Sequence, residues 1–84
     1  MNQTQARALA AEVLAGIAPE ADLAAVREDE DLREAFDLDS MDFMNFIVGL
    51  SERTGMNIPE SDTPLLRTLG GLAQYAAHWP MPQR

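Results

Sequence analysis

The stretch Asp37-Leu38-Asp39-Ser40-Met41-Asp42, followed directly by FMNFIVGL from Phe43 to Leu50, decides how the chain is read. An irregular acidic segment gives way here to an apolar-periodic run. That change predicts a helix from Ser40 to about Thr54, with Gly55 in a C-terminal cap position. A hydroxyl at such a start is expected to be exposed and aimed outward. The first turn of a helix leaves backbone N–H groups unpaired and carries the positive end of the macrodipole, so a phosphate ester on the Ser40 oxygen is electrostatically favoured. Asp39 and Asp42 complement the same dipole and offer anionic contacts to a basic partner. Plain helix capping is the simpler account of the hexapeptide by itself, because Asp or Ser before an apolar run is among the commonest helix starts.

Along that helix, at 3.6 residues per turn, Phe43, Phe46, Ile47, Leu50 and Thr54 fall on one side. Met41, Met44 and Val48 form a neighbouring stripe, and Asp42, Asn45, Gly49, Glu52 and Arg53 fill the polar arc. The apolar arc is wider than one facing helix requires. Either the helix is packed on most sides, or the methionine stripe is open to a partner; periodicity alone favours the core, where methionine fills gaps.

Working outward, Thr4 to about Gly16 is alanine-rich, with Leu9, Val13 and Ile17 on one stripe, and reads as a first helix ended by Gly16 and Pro19. A long connection from Ala18 to Asp39 follows. Within it Asp22 caps a single turn that pins Leu23 and Val26 to the core, Glu28 to Asp31 reads as a solvated acidic bend, and Leu32 with Phe36 ties down the end. Beyond Gly55, Ile58-Pro59 is extended, since a residue before proline avoids the helical region. A short helix is predicted between Glu60 and Leu66, with Thr63 and Pro64 as a loose cap and first residue. Thr68 caps a last helix from Leu69 to His78, with Leu69, Leu72, Ala73, Tyr75 and Ala76 inward and its first turn weakened by Gly70 and Gly71. Pro80 and Pro82 end it, leaving residues 79–84 as a flexible tail.

Eighty-four residues support one domain, 1–84, too small for a deep enzyme cleft with its lid. Fourteen acids against six bases give a formal charge of −8, which argues against nucleic acid and for basic protein surfaces as partners. No cysteine is present, and all six bases are arginines, so thiol and Schiff-base catalysis have no residue to use. A polar N-terminus and the lack of a long apolar run predict a cytoplasmic protein with no signal peptide or membrane span. Counted from Asp37, a calcium loop fails at Met41, Asp42 and Val48. A serine-hydrolase elbow fails at Leu38 and Asp42, where it wants glycines, and the lone histidine, His78, lies at the far end of the chain. No catalytic residue and no metal ligand set are therefore expected.

Taken together, Leu32, Phe36, Leu38, the Asp39-Ser40-Met41-Asp42 run, the apolar helix to Leu50, Ile58-Pro59, Leu66, Thr68, Leu69, Leu72 and Tyr75 resemble the acyl carrier protein family. The likeness covers about Val26 to Ala76. It implies an all-α fold, a small right-handed four-helix bundle of three longer helices and one short, with a long loop between the first two. It also implies that a phosphopantetheinyl transferase moves 4'-phosphopantetheine from coenzyme A to Ser40, and that the chain is a monomeric, free-standing carrier. On this resemblance Asp39, Met41, Asp42, Met44, Val48 and Glu52 read partner enzymes, which load and process the acyl group through basic or mixed basic and apolar surfaces. Leu32, Ile47, Leu50, Leu66 and Leu72 match positions that wall an acyl pocket. Three departures stand out: Asp37 replaces a glycine common before the motif, Asn45 and Ser51 replace acids, and Phe43 and Phe46 are bulky. They point to a specialised pathway, such as polyketide, peptide or modified-lipid assembly, rather than housekeeping fatty-acid synthesis. The contrasting expectation is an unmodified acidic adaptor that binds a basic partner through the same helix.

Overall fold

The computed structural model describes residues 2–78, and the side chain of His78 lies outside what is described. The expected tail, 79–84, falls beyond these residues. Helix α1 spans Gln3–Leu14 and is closed at its start by a capping box in which Asn2 and Gln5 each bond the other's backbone N–H. Its inward face is lined by small residues, Ala6 and Ala10, together with Val13 and Leu14, while Leu9 and Ile17 pack at the margin. The helix stops before Gly16.

The long connection is more ordered than its composition suggests. Asp22 accepts from the Ala24 N–H and starts the expected turn at Leu23–Ala25, and Arg7 reaches across from α1 to donate to the carbonyls of Leu23 and Val26. The acidic run is more than a solvated bend. Asp31 caps a one-turn helix, α2, at Leu32–Ala35, and its carboxylate also pairs with Arg67. The Leu32 N–H donates to the Arg67 carbonyl at 2.7 Å, and the Glu28 carbonyl accepts from Gly70 at 2.9 Å. Sequence periodicity cannot reveal α2, because four residues hold little more than one turn and its stability comes from these distant partners.

Helix α3 spans Ser40–Thr54, as its pattern predicts. Gly55 adopts φ 77°, the left-handed geometry that glycine tolerates best. Ser51 and Thr54 fasten the turn beyond it, Ser51 donating to the Met56 carbonyl and Thr54 accepting from the Met56 N–H at 3.2 Å, which carries Met56 into the interior. Gly49, on the predicted polar arc, instead meets α1: a Cβ there would lie 2.6 Å from Val13 Cγ1. Close by, Arg53 pairs with Glu12 at 3.7 Å. Asp37 is the only non-glycine residue with positive φ among those described, at 55°. Aspartate tolerates this region better than most residues, though at a cost that glycine escapes. Asp37→Gly is therefore expected to stabilise the protein by up to about 1 kcal/mol, read as a rise in the urea midpoint.

A 3₁₀ helix spans Glu60–Leu66, with Pro59 at its cap position. Thr63 and Pro64 thus lie inside this helix and do not start it. The reason is that Pro59 sets an extended entry and Glu60 to Asp62 wind immediately. Helix α4, Leu69–His78, begins where the Thr68 hydroxyl accepts from the Gly71 N–H at 2.9 Å. Its first turn is anchored, not frayed. Gly71 is required there by a close approach, since a Cβ would lie 2.0 Å from the Leu65 carbonyl oxygen. Gly71→Ala, which helps an ordinary helix, should instead destabilise this one by about 1–3 kcal/mol, measured by chemical denaturation.

All of these elements meet in one core. Leu14, Leu32, Phe46, Leu50, Leu66, Leu69 and Leu72 are fully buried in it, and α1 packs against both α3 and α4. Tyr75 ties α4 to the 3₁₀ helix by donating to Asp62 at 2.8 Å. Burial, then this bond and the Asp62 charge, raise its phenol above the usual tyrosine range. The chain is an all-helical bundle, as the sequence implies, and among the described residues no strand occurs.

Candidate functional site

Ser40 is the first residue of α3 and is exposed. Capping does not occupy it. The cap is Asp39, whose carboxylate accepts from the Asp42 N–H at 2.7 Å, and among the described residues the Ser40 hydroxyl has no hydrogen-bond partner. Its position is fixed from both sides: Leu38 is buried just before it, and Phe43 and Phe46 are buried just after, their ring centroids 6.1 Å apart. Leu38 is further held by donating its N–H to the Arg33 carbonyl at 2.8 Å. The exposed Ser40 is thus flanked on both sides by residues anchored in the core.

The methionine stripe lies outside the core. Met41 is 72% exposed, Met44 45% and Val48 48%, which sets aside the core account that periodicity favoured. Phe43, Phe46, Ile47 and Leu50 already supply α3 with its inner face, and the second stripe lies outside it. Asp39 and Glu52 are exposed beside it, and Asp42 is half-buried. Leu32, Ile47, Leu50, Leu66 and Leu72 all lie in the contiguous core.

A cleft of about 310 Å³ opens beside Ser40, between the start of α3 and the 3₁₀ helix. Phe43, Met44, Thr63 and Pro64 form part of its wall, and Arg33, Arg67 and Glu60 line the rest. A larger cleft, about 490 Å³, is lined by Phe36, Val26 and the carboxylates of Glu20, Asp22, Glu30 and Asp37, and does not include Ser40. The five core leucine and isoleucine positions line neither opening. Sequence reasoning passed over Arg33 and Arg67. The available signal was scarcity, since few bases stand against many acids and one of them lies just upstream of the motif.

An unengaged hydroxyl on a helix start, an open cleft at its foot and an exposed apolar stripe with flanking acids thus lie together on α3. The chain belongs to the acyl carrier protein family: the family model described as the phosphopantetheine attachment site matches residues 5–76. It is similar to an acyl carrier protein of Renibacterium salmoninarum, 35% identical over 62 residues, covering 74% of this chain and 72% of that relative. Acyl carrier proteins of Arthrobacter sp. and Paenarthrobacter aurescens are each 34% identical over 73 residues, covering 80% of this chain and 90% of the relative. Members of the family are carriers and not enzymes, and their attachment domain bears a covalent 4'-phosphopantetheine. The residues here fit such a group. A free alcohol is exposed at a helix start, and the adjoining cleft is lined by two arginines, a residue type suited to a phosphate; one of them, Arg67, has a buried Nε without a hydrogen-bond partner.

Proposed function

We propose that Ser40 is the attachment point of the arm, and that the protein is a cytoplasmic carrier in a fatty-acid, polyketide or other specialised assembly pathway. The observation that carries this reading is the division of labour at the start of α3, where Asp39 does the capping and leaves the Ser40 hydroxyl unengaged and exposed. In the loading step the Ser40 oxygen forms a new bond to phosphorus, the nucleotide half of coenzyme A departs, and the hydroxyl proton passes to the transferase. When attached, the arm supplies the thiol that this cysteine-free chain lacks.

Partner enzymes read α3 through Met41, Met44 and Val48, with Asp39, Asp42 and Glu52 around them. An apolar strip flanked by carboxylates suits a surface that combines arginine or lysine with an apolar patch, and charge complementarity speeds and orients such encounters. Leu32, Ile47, Leu50, Leu66 and Leu72 are the acyl-facing positions, but Phe43 and Phe46 add bulk beside them. A filled core favours cargo that is short or stays outside, which suits polyketide, peptide or modified-lipid assembly. The test is to load thioesters of increasing chain length and follow their cleavage by hydroxylamine. Uniform, fast cleavage is expected, whereas strong protection of long saturated chains contradicts the specialised-pathway reading.

A further inference from the structure

We propose that Arg33 and Arg67 clamp the phosphodiester of the arm, holding its root in the cleft beside Ser40; this rests on Ser40 being the attachment point. The two arginines line the cleft from different elements. Arg33 comes from α2, the one-turn helix capped by Asp31, and Arg67 from the residue that ends the 3₁₀ helix. Asp31 and Leu32 bind Arg67 through an ion pair and a backbone hydrogen bond, so the two arginines are mounted on one cross-linked unit. Both line the same cleft as Ser40.

The charge pattern makes Arg33 unusual. In a chain of charge −8, Arg27, Arg53 and Arg67 each have a carboxylate partner; among the described residues Arg7 and Arg33 have none, and of these Arg7 is taken up by the Leu23 and Val26 carbonyls. Its guanidinium lies 5.7 Å from the centre of the Phe43 ring, which orients it without neutralising it. Arg67 spends one nitrogen on Asp31, and its Nε remains buried without a partner. Of the carboxylates nearby, Asp31 is committed to Arg67 and to capping α2, and Asp39 to capping α3, while Glu60 sits at the cleft edge. A phosphodiester on Ser40 brings two acceptor oxygens and a full negative charge to this place, which matches the donor set. A carboxylate at the far end of a cargo reaches the cleft only if the arm doubles back, so the phosphodiester is the favoured anion.

The test compares apo and holo protein, with intact mass confirming that one phosphopantetheinyl group is present. In the wild type the Nε–H resonances of Arg33 and Arg67 should move on loading, and holo should melt above apo at low ionic strength, with the gap shrinking as salt is added. Arg33→Gln should lose most of that gap, and Arg33→Lys should keep part of it, since lysine retains the charge but not the fork. Comparing holo with apo within each variant removes any effect of the substitution on the fold itself. Loaded protein with unmoved arginine resonances, or with the same gap in Arg33→Gln as in the wild type, overturns the clamp alone. Resonances that move only when the cargo carries a free carboxylate assign the anion to the cargo and also overturn it. A chain that gains no mass overturns the attachment at Ser40 and the clamp with it.

Discussion

Ser40→Ala is expected to abolish loading while leaving the fold intact. The change removes one oxygen, and that oxygen has no hydrogen-bond partner among the described residues. The helix start is secured without it, because Asp39 holds the cap at 2.7 Å and the Leu38 side chain is buried. Alanine is also a better helix former than serine. Stability should therefore stay within about 0.5 kcal/mol of the wild type, as read by urea denaturation, while incorporation of label from a fluorescent coenzyme A falls to background. A variant that unfolds shows that the hydroxyl serves the structure.

Leu50→Ala should have the largest effect on stability. Leu50 is fully buried on the inner face of α3, in contact with the core shared by α1, α4 and the 3₁₀ helix. Truncation loses the transfer energy of the removed carbons and leaves a cavity, together worth roughly 2–5 kcal/mol. In a domain this small such a loss is a large fraction of the total. The variant should show a far lower denaturation midpoint, and an unchanged midpoint contradicts the facing assigned to α3. The cavity also bears on function: if cargo uses the core, Leu50→Ala should slow hydroxylamine cleavage of longer thioesters relative to the wild type.

The parts of the fold visible in the sequence are those governed by local chemistry. The span of α3, its glycine stop and its inner face of Phe43, Phe46, Ile47 and Leu50 follow from periodicity and capping, as do the Asp22 turn and the Thr68 cap. What escaped notice depends on contacts far along the chain. Helix α2 exists because Asp31 and Leu32 meet Arg67, and Glu28 is drawn in by the Gly70 N–H. Gly49 looked like part of a polar arc because a residue with no side chain gives no hydrophobic signal, yet its smallness is what lets α1 come close. The start of the 3₁₀ helix was misplaced for a related reason: Thr-Pro is a common helix opening, but Pro59 had already set the geometry.

At the site the same division holds. The placement of Ser40, Asp39 and Asp42 at the start of α3 could be read directly, because a helix start is a local event. For the methionine stripe periodicity favours the core and the structure does not, since periodicity ranks faces but does not count neighbours. Once Phe43 and Phe46 fill the space toward the core, Met41 and Met44 have nowhere to go but outward. The cleft was invisible, because Arg33 and Arg67 lie far apart in sequence and are joined only by the fold. It is also the feature with the most to say about how an arm would leave the protein.

The most direct measurement is peptide-level mass spectrometry after incubating the chain with a broad-specificity phosphopantetheinyl transferase, coenzyme A and Mg²⁺. The account predicts one phosphopantetheinyl group per chain, located on the peptide containing Asp39-Ser40-Met41 and ejected from the serine on fragmentation. No mass gain, or a group found on any other residue, contradicts it.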